Sequence, residues 1–223
     1  MDAKFVKSGS LVHACLSMAL GVSLASCGKN DTQSELEADL NVAHFVTADG
    51  HLDPAYETQL RASNAANTKF GPLLDSINAL VGTPYSSMKC NQFVAKTYKE
   101  SGIVTADYPE FNTSEMATSA AVLSYFTRDA VGGSSTTPTT ADLLGWGPND
   151  ASSNGHVVII IDPDNCIIAH SSSSHWNGSA GVASAITGVA YNQIRAPRCS
   201  VGAWKQLETN ANNSSWKFKL SPL

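Results

Sequence analysis

The chain has no block of basic residues and no stretch in which Lys or Arg alternates with aromatic side chains. Counter-ion release and base stacking, the two main sources of nucleic-acid affinity, therefore have nothing to act through, and no nucleic-acid partner is expected. Charge is scarce, 15% of 223 residues, and sums to a formal −5. His, Cys and carboxylates never gather at metal-ligand spacing and no phosphate-binding glycine loop occurs, so neither metal nor cofactor is expected. There is no internal repeat. With 43% hydrophobic residues the length suits one domain with a substantial core.

One mostly apolar run stands apart. LVHACLSMALGVSLAS, residues 11–26, follows Lys4 and Lys7 and precedes the polar GKNDTQSE, the layout of an export signal rather than a membrane span. Leu24-Ala25-Ser26-Cys27 resembles the bacterial lipobox. That resemblance implies cleavage before Cys27, lipidation of that cysteine and stable attachment to a membrane through several acyl chains; the alternative is an ordinary secretory signal cleaved nearby. Gly28 resembles the sorting signal for an outer membrane, where the cell has one. His13 and Cys15 fall inside the signal, and its removal takes away Asp2, Lys4 and Lys7, leaving −6. Residues 27–55 are polar and weakly periodic and read as a tether, with His44 and His51 as solvated linker residues.

Three cysteines then remain for an oxidising compartment: Cys90, Cys166 and Cys199. An odd number leaves at least one thiol unpaired. Cys166 and Cys199 either form a disulfide, closing a loop of about 34 residues worth roughly 3 to 4 kcal/mol, or are two separately buried thiols.

Apolar spacing predicts helix over 56–81, with Leu73, Leu74, Ile77, Leu80 and Val81 on one face and Gly82-Thr83-Pro84 as the stop. In KCNQFVAKTYKESG, residues 89–102, a helix capped by Ser86 or Ser87 buries Cys90, Phe93, Val94, Thr97, Tyr98 and Ser101, and Gly102 supplies the left-handed exit. An amphipathic segment around 114–126 and the exposed connector VGGSSTTPTT follow. ADLLGW, HVVIII and CIIA then read as strands, with one or two more in SAITGVAYNQIRAPRC. Helices first and an antiparallel sheet afterwards make an α+β fold. The main domain is taken as 56–205 and residues 206–223 as a C-terminal tail.

The thiol of Cys90 lies at a helix N-terminus, where unpaired N–H groups and the positive end of the dipole favour thiolate. A cysteine nucleophile also needs a base, and the base needs a group that fixes its tautomer. His156 opens HVVIII and His170 closes CIIAH, and alternation puts both on one sheet face. Direct opposition of the two requires 156 to pair with 170 across a loop at 162–164. His175, in SSSSHWNG, is the competitor for third place, disfavoured by its odd separation from the strand histidines.

GTPY, KCNQFVAKTYKESGI, ADLLGW and GHVVIIIDPDNCIIAHSSS, in that order, resemble the NlpC-type, papain-like cysteine peptidases of bacterial cell-wall turnover. The resemblance covers about residues 72–200 and implies a papain-like NlpC-type fold with N-terminal helices packed on an antiparallel sheet. It implies Cys90 as nucleophile, His156 as base and His170 as orienting residue. Tyr85 would be a hydroxyl near the oxyanion, though it reads equally as a packing tyrosine, and the Cys90 N–H would contribute to the oxyanion hole. The implied substrate is the stem peptide of peptidoglycan, cut by a lipid-anchored, monomeric hydrolase facing the periplasm or cell wall. An amidase or acyltransferase on the same scaffold, or an adaptor lipoprotein without turnover, are the alternatives. The pattern departs from the family in Lys89-Cys90-Asn91-Gln92, where Asp-Cys-Ser-Gly is usual, and in a His156 to His170 interval longer by two.

Overall fold

Pro72 decides where the first helices divide. In the computed structural model, helix α1 spans Pro54–Ser63 and α2 spans Phe70–Asn78, instead of one run over 56–81. A proline deep in a helix removes a donor and clashes with the carbonyl four residues back, whereas in the first turn its missing N–H costs nothing. The chain therefore turns at 64–69 and starts α2 just ahead of Pro72. The structure describes residues 45–130, 138–147, 155–173, 187–193 and 216–223. The export segment with Cys27 and Gly28, most of the tether with His44, and also His175 and Cys199, lie outside them.

Helix α3 is Cys90–Glu100 and α4 is Thr113–Thr118, followed by a 3-10 turn at Ala120–Ser124. Strands β1 (Phe126–Ala130), β2 (Leu143–Gly147), β3 (His156–Asp162), β4 (Ile167–Ser172), β5 (Gly188–Gln193) and β6 (Trp216–Pro222) form a six-stranded sheet in the order β1-β6-β2-β3-β4-β5, with every neighbour antiparallel. The α+β layout expected from the sequence is present. No helix among the described residues is long and apolar enough to cross a membrane.

Both ends of the domain reach further than expected. Residues 45–53 belong to the folded body: Val46 bridges to Leu52, Leu52 is buried, and Phe45 meets Tyr56 edge to face at 4.6 Å. Residues 216–222, read as part of a tail, form β6 in the interior of the sheet between β1 and β2. Phe218 and Leu220 enter the core, while Lys219 pairs with Asp129 at 2.8 Å and with buried Asp142 at 3.3 Å. Gly145 makes room for this arrangement, because a Cβ there would fall 2.1 Å from the Phe218 ring on the neighbouring strand.

The unbroken apolar run of β3 follows from burial on both faces. Val157, Ile159 and Ile161 join the cluster containing Phe93, Val94 and Tyr98 of α3, and Val158 and Ile160, on the other face, are also fully buried. Each such side chain contributes roughly 1.5 to 3 kcal/mol of burial. Helix α3 thus lies against β3 and β4, and the Tyr98 hydroxyl fixes its far end by donating to the Ala141 carbonyl at 2.6 Å. Its exit is the expected one: Gly102 has φ +67, Gly102 N–H bonds Lys99 C=O, and Ile103 N–H bonds Tyr98 C=O.

Candidate active site

Helix α3 begins at Cys90 itself. Its N-cap is Lys89, in extended conformation, and neither Ser86 nor Ser87 caps it. Instead Gln92 reaches back, its Oε1 accepting from the Lys89 N–H at 3.0 Å; Pro84 starts a turn, with Ser87 and Met88 N–H groups on its carbonyl, that leaves the serines outside the cap. Gln92 therefore has a local structural task.

The sulfur lies against the start of β3. Cys90 Sγ contacts the Gly155 carbonyl at 3.9 Å, and the Val157 N–H also acts on it. Main-chain groups two residues apart on a strand point the same way. Ile160 turns its N–H and C=O toward Asp142 and Ala141, at the start of β2, so Gly155 and Val157 point away from β2, toward the β4 side. The sulfur thus meets the main chain on either side of His156, and among the described residues its hydrogen-bond contacts are with that main chain and with the first N–H groups of α3, not with either imidazole.

His156 and His170 meet, with Nε2 of His156 3.1 Å from Nδ1 of His170 and rings inclined at 77°. They share a face as expected, but by a different register. The ladder pairs Ile159 with Ala169 and Ile160 with Ile168, then shifts to pair Asp162 with Ile167, so His156 is diagonal to His170 instead of opposite it. The cause is the turn. It takes four residues, 163–166, with Cys166 at φ +56, and a bulge at Ile161 absorbs the odd residue. Asp162 organises it, accepting from the Asp164 and Asn165 N–H groups at 2.9 and 3.3 Å and from the Tyr56 hydroxyl at 2.5 Å. Diagonal neighbours on one face remain within reach of ring side chains. Cys166 is buried just ahead of β4, and Cys199, its expected partner, lies outside the described residues.

The electrostatics reverse one expectation. Burial pushes the Cys90 thiol up, against the opposing N–H groups of Val157, Asn91 and Cys90 and the charge of Lys89. Burial also pushes His156 down to about 4 and, with His156 beside it, His170 to about 3. The helix start acts in the direction the sequence implies, but desolvation is larger. At neutral pH the resting site holds a thiol and two neutral imidazoles, not a thiolate.

This has a consequence for stability. Imidazoles of the unfolded chain bind protons at about pH 6.5, while the native pair resists until about 4 and 3. The unfolded state therefore holds more protons in that window, and stability falls as pH drops from 6.5 toward 3, by on the order of a few kcal/mol. Thermal unfolding followed from pH 7.5 to 4 should show this slope, and a His170→Gln variant should flatten it.

Tyr85 is half-buried, its hydroxyl hydrogen-bonded to Ser173 just beyond β4; burial pushes the phenol up, and a thiolate at Cys90, when one forms, would push it further. Its segment is docked on β5: Gly82 N–H donates to Val189 C=O at 2.9 Å and Val189 N–H to Thr83 C=O at 3.0 Å. Gly188, at φ +133, permits the approach, since a Cβ there would sit 2.2 Å from the Thr83 oxygen. Sequence reading missed Gly188, Ser171 and Ser173. Alternation along β4 was the available signal for Ser171, which turns to the helix side when His170 turns away.

Among the described residues no three His, Cys, Asp or Glu side chains gather as a metal site. Compared with known proteins, the chain matches no family model, no curated protein and no solved structure.

Proposed function

We propose that the protein is a cysteine hydrolase of NlpC-type, papain-like architecture that cleaves amide bonds in peptidoglycan stem peptides, exported and anchored through lipid on Cys27. The observation that carries the chemistry is the 3.1 Å contact of His156 Nε2 with His170 Nδ1, together with a Cys90 thiol that meets the main chain at Gly155 and Val157, on either side of His156 in the chain. The motif order and the export segment support the substrate class.

The tautomer follows from the pairing. For His156 to act as base its Nε2 carries the proton and donates to His170 Nδ1, which makes Nδ1 of His156 the nitrogen that takes the thiol proton. Because the resting thiol is neutral, deprotonation and attack occur together. Sγ bonds to the amide carbon, the oxyanion develops toward the Cys90 N–H and the Tyr85 hydroxyl, and the C–N bond breaks as His156 returns the proton to the leaving amine. Water, deprotonated by the same imidazole, then cleaves the thioester to a carboxylate and regenerates the thiol.

A second reading, an adaptor lipoprotein without turnover, is favoured by the buried neutral thiol. Mass analysis of material released from purified sacculi separates the two. Hydrolysis yields fragments with a new amine and a new carboxylate, their position distinguishing endopeptidase from amidase. Transfer to an added amine without uptake of water indicates an acyltransferase. Sacculi left intact by folded protein contradict the enzymatic reading.

A further inference from the structure

The loop that delivers Cys90 is fastened to the sheet at Gly82 and Thr83, at Tyr85 and at Met88. The last fastening lies nearest the thiol: the Ser171 hydroxyl donates to the Met88 carbonyl at 2.5 Å. Ser171 is fully buried. It shares the helix-side face of β4 with Ala169 of the core cluster, while His170 faces the other way. Consecutive residues of one strand thus hold the imidazole that contacts the base and the hydroxyl that contacts the nucleophile's loop. The side-chain cap at the start of α3, Gln92 onto the Lys89 N–H, ties the helix to itself and not to the sheet.

We propose that Ser171 is a positioning residue for Cys90: by fixing the Met88 carbonyl it sets where the first turn of α3 stands along β3 and keeps the sulfur between the Gly155 carbonyl and the Val157 N–H. The inference rests on the reading of Cys90 as nucleophile, but its geometry does not depend on the substrate. Without the hydroxyl the Met88 carbonyl loses its donor, the loop relaxes, and the sulfur drifts from the one N–H that the sheet offers it.

The test is alkylation of the full chain by iodoacetamide as a function of pH, followed on the tryptic peptide of residues 90–96 by mass spectrometry. In Ser171→Ala the midpoint of the profile should move upward by about 0.7 pH unit, the equivalent of one ordinary hydrogen bond, and Ser171→Thr, which keeps the hydroxyl, should return it. Hydrolysis by Ser171→Ala should fall in kcat with KM little changed. A wild-type midpoint in folded Ser171→Ala overturns the proposal. If that variant does not fold, Ser171→Cys, with its weaker donor in the same space, is measured on the same peptide: an upward midpoint supports the proposal and an unchanged one overturns it. Full hydrolysis by Cys90→Ala would defeat the functional reading, yet the alkylation comparison would still decide the role of Ser171.

Discussion

Cys90→Ala is expected to abolish the release of peptide fragments from sacculi, a loss of about 10⁴-fold or more, while melting within a few degrees of the parent. The size of the loss follows from chemistry in which every covalent step passes through one sulfur, so that removing it leaves only binding and the oxyanion donors. The mildness of the structural effect follows from what is removed. Cys90 is 5% exposed but sits at the first position of α3, and its exchange for alanine deletes one atom at the margin of the core, a cost of about 1 kcal/mol. Alanine is also the best helix former. Release and melting temperature measured on the same preparation check both halves, and an unchanged rate of release would refute Cys90 as nucleophile.

His156→Gln should lower the hydrolytic kcat by about 10²- to 10⁴-fold, the range that a positioned base contributes. The effect is large here because the thiol is neutral at rest: burial raises its pKa, so little thiolate exists without the imidazole to remove the proton. His170→Gln should lose less. Its amide oxygen can accept from the Nε2 proton of His156 in place of Nδ1 and hold the same tautomer, whereas His170→Ala offers no acceptor. The ordering of kcat, His170→Gln above His170→Ala and both above His156→Gln, is read directly from initial rates. Equal rates in all three variants would remove the histidine pair from the mechanism.

Much of the architecture was legible because it rests on local rules. The face of α3, its Gly102 exit and the apolar run of β3 are periodicity and turn chemistry, and they appear as expected. What was misread depends on partners distant in sequence. WKFKLS alternates with period two, yet nothing near it reveals that Phe218 fills the space left by Gly145, some seventy residues earlier. The division of the first helical run was recoverable from Pro72, since proline in the first turn is favoured and in the interior is not.

At the site, parity along β3 and β4 correctly put His156 and His170 on one face, but their register did not follow from it. A four-residue turn with a bulge preserves facing and moves the partner by two positions. The direction of the thiol shift was out of reach for a different reason. A helix start can be read from residues 89–92, whereas the desolvation that outweighs it arises from how deeply α3 is set against β3 and β4, a property of the assembled fold.

The most direct test of the account is the covalent intermediate. After brief incubation of the full chain with sacculus-derived stem peptides and an acid quench, the tryptic peptide 90–96 should carry the mass of the acyl fragment as a hydroxylamine-sensitive thioester on Cys90. Turnover of the peptides with that peptide never acylated, even when release is slowed by cold, would contradict it.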